Sequence, residues 1–225
     1  MKMRPGINNF FPDILRKNVS EGVFVLQKEN IMTASLEENM SYLKERLQPD
    51  VSFDIVYRVI NVGGKQACIY FIDGFCKDEL MQKLLQYFID MKPEDMPENA
   101  YEMSKKATPY VEVDLKDKWD DIFYNILSGV FALFIDGFDR CILIDSRTYP
   151  ARGVSEPEKD KTLRGSKDGF VETVVFNTAL IRRRIRSTEL RMEMVNAGKS
   201  SKTDIVLCYM NNRVDHNFWE KIKKR

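Results

Sequence analysis

Two nearly unbroken apolar runs, KQACIYFID and VFALFID, set the narrowest limits on how this chain folds. Both have strand length, and both close on the same five letters, FIDGF, at residues 71–75 and 134–138. Apolar residues at consecutive positions bury both faces of a strand, so these two belong inside a covered sheet. The offset of 63 residues is too long for a solenoid repeat and too short for two complete domains. Asp-Gly at a strand end makes a turn, because both residues tolerate positive φ. Brought together by the fold, Asp73 and Asp136 would instead form a carboxylate pair for a divalent cation or for phosphoryl transfer. Neither copy carries a DxDx[TV] nucleophile motif, so both are read as turns, with a metal-dependent enzyme as the alternative.

The continuations of the two copies differ. KDELMQKLLQYFIDM places Leu80, Leu84, Leu85 and Phe88 at helical spacing, so the first FIDGF is expected at a strand–helix junction. RCILIDS follows the second copy and predicts a β-hairpin. Upstream, Ser35 and Glu38 form a capping box ahead of Leu36, Met40, Leu43 and Leu47, and SFDIVYRVINV reads as a strand closed by Gly63-Gly64. Residues 92–118, broken by proline and charged, read as a surface excursion. WDDIFYNILSG then reads as a helix ended by Gly129.

Charge divides the chain. Residues 151–225 carry 17 Lys or Arg against 10 Asp or Glu, leaving 18 against 24 for residues 1–150. A polar stretch over 147–165 separates the halves. The expected fold is α/β: two small α/β (α+β) subdomains with mixed sheets, an acidic one over 1–150 and a smaller basic one over 151–225. The second should hold a helix over 170–186, a hairpin, and the start of a final helix. The longest uncharged stretch, 14 residues between Asp121 and Asp136, is too short to span a bilayer. The residues at the start of the chain lack the pattern of a secretory signal. Four scattered cysteines and one histidine, His216, argue against disulfides, a zinc site or a Ser-His-Asp triad, and no cofactor or metal is expected.

Two basic features remain. In RGSKDGF, Arg164, Gly165 and Lys167 precede a helix and would suit an anion, unless Ser166 or Asp168 simply caps that helix. RRRIR packs Arg182, Arg183, Arg184 and Arg186 at the end of the same helix, more charge than dipole compensation requires. Its candidate partners are the acidic loop holding Glu156, Glu158 and Asp160, the acidic front half, or anionic lipid. Glu172 lies ten residues before Arg182, roughly 15 Å along a helix, out of reach. The expected contact is Arg182 or Arg184 with Glu156 or Glu158. Nucleic acid is not expected, since no aromatic residues interleave with the arginines.

YPARGVSEPEKDKTLRGSKDGFVETVVFNTALIRRRIR, followed by GKSSKTDIVLCYM, resembles the signature of the GerA family of spore germination proteins. Arg152, Glu156, Pro157, Arg164, Gly165, Gly169, Phe170, Glu172, Asn177, Leu180, Arg182 to Arg184 and Lys202 to Asp204 stand at its positions. ILSGVFALFIDGF and YFIDGF extend the likeness upstream, so it spans about 50–213. Ser166 stands where receptor A subunits usually carry proline, which brings the chain closer to the stage V sporulation branch and leaves the branch open. The resemblance implies a non-enzymatic sensing or coupling domain of a protein of the inner spore membrane. It would face the spore core, ahead of membrane helices in the parent protein. Its implied partners are other subunits of the germination complex, the membrane, and a small-molecule germinant. Arg152, Glu156, Glu158, Arg164, Gly165, Asp168 and Arg182 to Arg184 are the implied interaction residues.

Overall fold

The structure, a computed structural model, describes residues 30–76, 78–110, 112–149 and 169–224. Helix α1 (Leu36–Leu47) forms half of the expected capping box: the Glu38 amide donates to the Ser35 hydroxyl at 3.4 Å, but the Ser35 amide donates to Thr33 Oγ1 at 3.3 Å, and the Glu38 carboxylate accepts from the Thr33 hydroxyl instead. Strands β1 (Ile55–Val62) and β2 (Lys65–Ile72) form a hairpin, and helix α2 (Asp78–Asp90) follows. After helix α3 (Ala100–Lys106) come β3 (Val113–Lys116), α4 (Trp119–Leu127), β4 (Phe131–Ile135) and β5 (Cys141–Ile144). Helix α5 (Val174–Arg184), strands β6 (Leu190–Ala197) and β7 (Thr203–Met210), and helix α6 (His216–Lys223) complete the described chain.

The fold is α/β, with a five-stranded sheet in the order β1-β2-β4-β5-β3 and a separate β6-β7 pair. Every pairing is antiparallel. Period-two alternation sorts the apolar runs onto two covered faces. Cys68, Tyr70, Ile72, Ala132, Phe134, Cys141 and Leu143 pack with α1 and α4. Ala67, Ile69, Phe131, Leu133, Ile135, Ile142 and Ile144 pack with α2 and α3. The unbroken runs thus mark a three-layer arrangement of helices over both sheet faces, built with antiparallel neighbours.

Two expectations change. The stretch 92–118 is more than a surface excursion: Ala100 and Met103 are buried, and β3 pairs along β5 at the sheet edge. The Asn99 carboxamide caps α3 by accepting from the Glu102 amide at 3.0 Å, and Ala100, Met103 and Ala107 supply its inner face. The helix expected from 170 begins instead at Val174. The Val171 amide donates to Asn177 Oδ1 and Asn177 Nδ2 donates back to the Val171 carbonyl, both at 2.7 Å. This bracket holds the backbone before the helix in a non-helical path, leaving Phe170 exposed.

Candidate functional site

The two FIDGF copies share a local geometry and diverge in their surroundings. In each, the phenylalanine amide donates to the isoleucine carbonyl three residues back: Phe75 to Ile72 at 3.2 Å and Phe138 to Ile135 at 3.1 Å. Gly74 and Gly137 take φ of +79° and +84°, the glycine position of a type II turn, and both phenylalanines are buried. Pairing of Tyr70 with Ala132 and of Ala67 with Ile135 sends Asp73 and Asp136 out of opposite ends of the sheet. Seven residues of strand separate those ends, roughly 20 Å, so the two carboxylates cannot share a metal ion. Among the described residues no group of three or more His, Cys, Asp or Glu is placed to hold one.

Asp136 has a structural task. Its Oδ1 accepts from the Leu36 amide at 3.1 Å, while the Gly137 amide donates to the Ala34 carbonyl at 2.9 Å, so the second turn ties the start of α1 to the sheet. Asp73 is half-buried, and burial raises its carboxyl above the usual carboxylate range, with Asp78 and Asp54 adding repulsion. The same physics keeps the two buried thiols protonated. Burial pushes Cys68 up to about 12 and Cys141 well above the ordinary thiol value.

The first turn leads to the site. A Cβ on Gly74 would lie 3.2 Å from Val175 Cγ1 and 3.5 Å from Ala179 Cβ, so α5 rests directly on the turn. One helical turn past Ala179, Arg182 is completely buried. Its Nε donates to Asp54 Oδ2 at 2.7 Å and its Nη2 to Asp54 Oδ1 at 3.2 Å, a bidentate pair with side-chain exposures of 0% and 2%. The remaining fork reaches the Ser187 carbonyl from Nη1 at 3.1 Å and the Leu190 carbonyl from Nη2 at 3.2 Å. Asp54 is tied in turn to the FIDGF turn, because its carbonyl accepts from the Asp73 amide at 2.8 Å. One guanidinium therefore joins the entry to β1, the end of α5 and the start of β6.

Neighbouring bonds follow the same seam. The Phe53 amide donates to the Met192 carbonyl at 3.0 Å, and the Met192 amide donates to the Ser52 hydroxyl at 3.1 Å. Arg191 is also buried and gives its Nε to Gln48 Oε1 at 2.9 Å; burial lowers its pKa. Residues 48–54 thus meet the outer edge of β6 through polar contacts at three positions.

The arginine run is divided by task. Arg182 pairs with Asp54: a fully buried guanidinium needs a fixed, equally buried carboxylate, and the entry to β1 supplies one, while the expected partners Glu156 and Glu158 lie outside the described residues. Arg183 is exposed, with its guanidinium carbon 4.6 Å from the centroid of the Tyr149 ring. Arg184 Nη1 reaches the Leu180 carbonyl at 3.2 Å, and Arg186 Nη1 reaches the Tyr124 hydroxyl at 3.0 Å. Arg152, Glu156, Glu158, Arg164, Gly165 and Asp168 lie outside the described residues, as does most of the RGSKDGF anion loop. Asp54 escaped the sequence reading. Its signal was an acid between Ser52 and an apolar strand in the acidic half, where a charge earns burial only by pairing.

The comparisons with known proteins agree with the residue-level likeness. The family model described as Bacillus/Clostridium GerA spore germination protein matches residues 41–225. Stage V sporulation protein AF of Bacillus subtilis (strain 168) is 34% identical over 191 residues, covering 83% of this chain and 38% of that protein. The uncharacterized membrane protein YfkQ of the same organism is 31% identical over 196 residues, covering 86% of this chain and 38% of that protein. The chain therefore spans under two fifths of the length of these relatives. Among solved structures, the N-terminal domain of the A subunit of the Bacillus megaterium spore germinant receptor GerK3 superposes with a TM-score of 0.67 at 26% identity. That match covers 87% of this chain and 72% of the other.

Proposed function

The chain belongs to the GerA family of spore germination proteins, and from that premise we propose that it acts as a non-enzymatic coupling domain within a longer germination membrane protein. It passes a conformational signal between two units, residues 1–150 and 151–225. Its partners are other subunits of the germination complex and the membrane-embedded part of its own parent. It sits on the spore-core side of the inner spore membrane, in line with the basic excess of the second unit. Whether it acts in germinant response or in ion release follows from the branch, receptor A subunit or stage V sporulation AF.

The observation that carries this reading is the buried Asp54–Arg182 pair. A charged pair taken fully out of water adds less to stability than a well-packed apolar pair of the same volume. Its use is to define one arrangement of the elements it joins. A metal-dependent function of Asp73 and Asp136 has no support, because the sheet register holds the two apart.

The test replaces the pair within the full-length parent in a spore-forming host. Asp54→Leu with Arg182→Met should keep abundance, since the apolar pair fills the volume without an orphaned charge. Germination of those spores should slow at least about tenfold, the effect of losing roughly 1.4 kcal/mol of coupling. Normal germination kinetics at normal protein abundance would overturn the reading.

A further inference from the structure

Helix α6 carries two faces with different fates. Trp219 is buried, its ring 4.2 Å from that of Tyr209 on β7, and Lys223 closes the same face with a 2.5 Å bond to Glu193 of β6. Phe218 and Ile222, one turn apart on the flank beside that face, are 59% and 39% exposed. Lys221 shares that side, and Lys224 follows at the helix end, also exposed. The register of β6 and β7 adds Ile205, 41% exposed, on the sheet face that α6 covers, since it lies two residues along from Leu207 and four from Tyr209. Lys199 and Lys202 stand exposed at the hairpin tip beyond it. Over residues 190–225 the chain holds eight Lys or Arg against four Asp or Glu. Three of the four acids are engaged locally: Glu193 by Lys223, Asp204 by the Asn196 carboxamide at 2.5 Å, and Asp215 as the cap of α6, where it accepts from the Asn217 amide at 2.9 Å.

We propose that this face, the outer side of α6 with the basic hairpin tip, docks on the surface of a bilayer rich in anionic lipid. An exposed aromatic and aliphatic pair among lysines matches the interface of such a membrane. The Phe218 ring and the Ile222 side chain enter the headgroup boundary, and the lysine stems lie along the apolar surface while their ammonium groups reach phosphates. The charge complement singles out this occupant. A buried protein interface would desolvate Lys221 and Lys224 around the apolar pair, whereas a lipid surface leaves them hydrated beside phosphate. The proposal rests on the reading of the chain as part of a membrane protein and adds that this face itself touches lipid. Its failure is separable, because the Asp54–Arg182 test does not involve α6.

The experiment measures sedimentation of the 225-residue chain with vesicles of phosphatidylcholine alone or mixed with phosphatidylglycerol. Binding is expected only to the mixed vesicles, weakening as salt rises. Phe218→Ala with Ile222→Ala should lower the partition coefficient about tenfold, and Lys221→Glu with Lys224→Glu by at least about tenfold with loss of the salt dependence. All four side chains are exposed, so the variants keep the far-ultraviolet spectrum and melting point of the parent chain. Phe218→Trp should shift its emission to the blue when mixed vesicles are added. Three results would overturn the proposal: equal binding of the variants, equal binding to uncharged vesicles, or an unmoved Phe218→Trp emission. So would a fall in molar mass of the alanine variant measured without lipid, which would assign the face to a second copy of the chain.

Discussion

Arg182 and Asp54 form a pair whose value depends on which half is removed. Arg182→Ala leaves a carboxylate at 2% exposure with no cation, and a loss of about 3–5 kcal/mol in denaturant unfolding is expected. Arg182→Lys keeps the charge but not the fork that also serves the Ser187 and Leu190 carbonyls, so it should recover only part of the loss. A double-mutant cycle with Asp54→Asn should give a coupling well above the 0–1 kcal/mol or so of an exposed pair. Asp73 behaves in the opposite sense. Its folded-state carboxyl is raised by burial, so the folded protein binds the proton more tightly, and ionised Asp73 lowers stability at neutral pH. Asp73→Asn should therefore stabilise at pH 7, by no more than about 1 kcal/mol for a half-solvated group. The gain should shrink as pH falls through the raised carboxyl range, where the wild type protonates, and a pH series of melting points reads it directly. Asp136→Ala, which removes the acceptor for the Leu36 amide, should cost about 1 kcal/mol.

At the level of elements, one motif used twice provides its own control. Gly74 and Gly137 have nearly the same φ, so replacing either by alanine incurs a similar backbone penalty of roughly 1–2 kcal/mol. A new Cβ at Gly137 would meet only the Lys65 ammonium at 3.4 Å, the end of a flexible side chain, whereas at Gly74 it would press on α5. Gly74→Ala should thus destabilise measurably more than Gly137→Ala, and equilibrium unfolding of the two variants isolates the helix contact. The strand–helix and strand–strand continuations of the two copies were legible, because apolar residues at helical spacing follow the first and a second short apolar run follows the second. The seat of α5 on the first turn was not, since a glycine signals positive φ without saying what approaches it. Asn177 likewise reads as an ordinary helix residue until its side chain is seen bracketing Val171, and that bracket moves the helix start by four residues.

On the scale of the whole molecule, a sheet covered on both faces was legible in two unbroken apolar runs. The order of its strands required long-range pairing that periodicity does not carry. The edge strand β3 was hidden in a charged stretch, where an edge needs only one inward row of apolar residues. The acidic front half was one of the candidate partners of the arginine run, although Asp54, one carboxylate among the 24 acids of residues 1–150, carried no local mark of being the chosen one. If 1–150 and 151–225 are separate units held by that pair, the parent chain should melt in one calorimetric transition and Arg182→Ala should divide it into two. A single transition in both would mean that apolar contacts alone fuse them.

The bracing of α5 at two points has a mechanical consequence. Its foot is pressed on Gly74 at Val175, and its hand is closed on Asp54 at Arg182. The two positions are seven residues apart, so the lever arm is about 10 Å. Pivoting the arm by some 20° about its foot would carry the hand roughly 3.5 Å, farther than either hydrogen bond stretches before it fails. A graded push on α5 would thus meet stiff resistance and then sudden release, as a latch behaves and a spring does not.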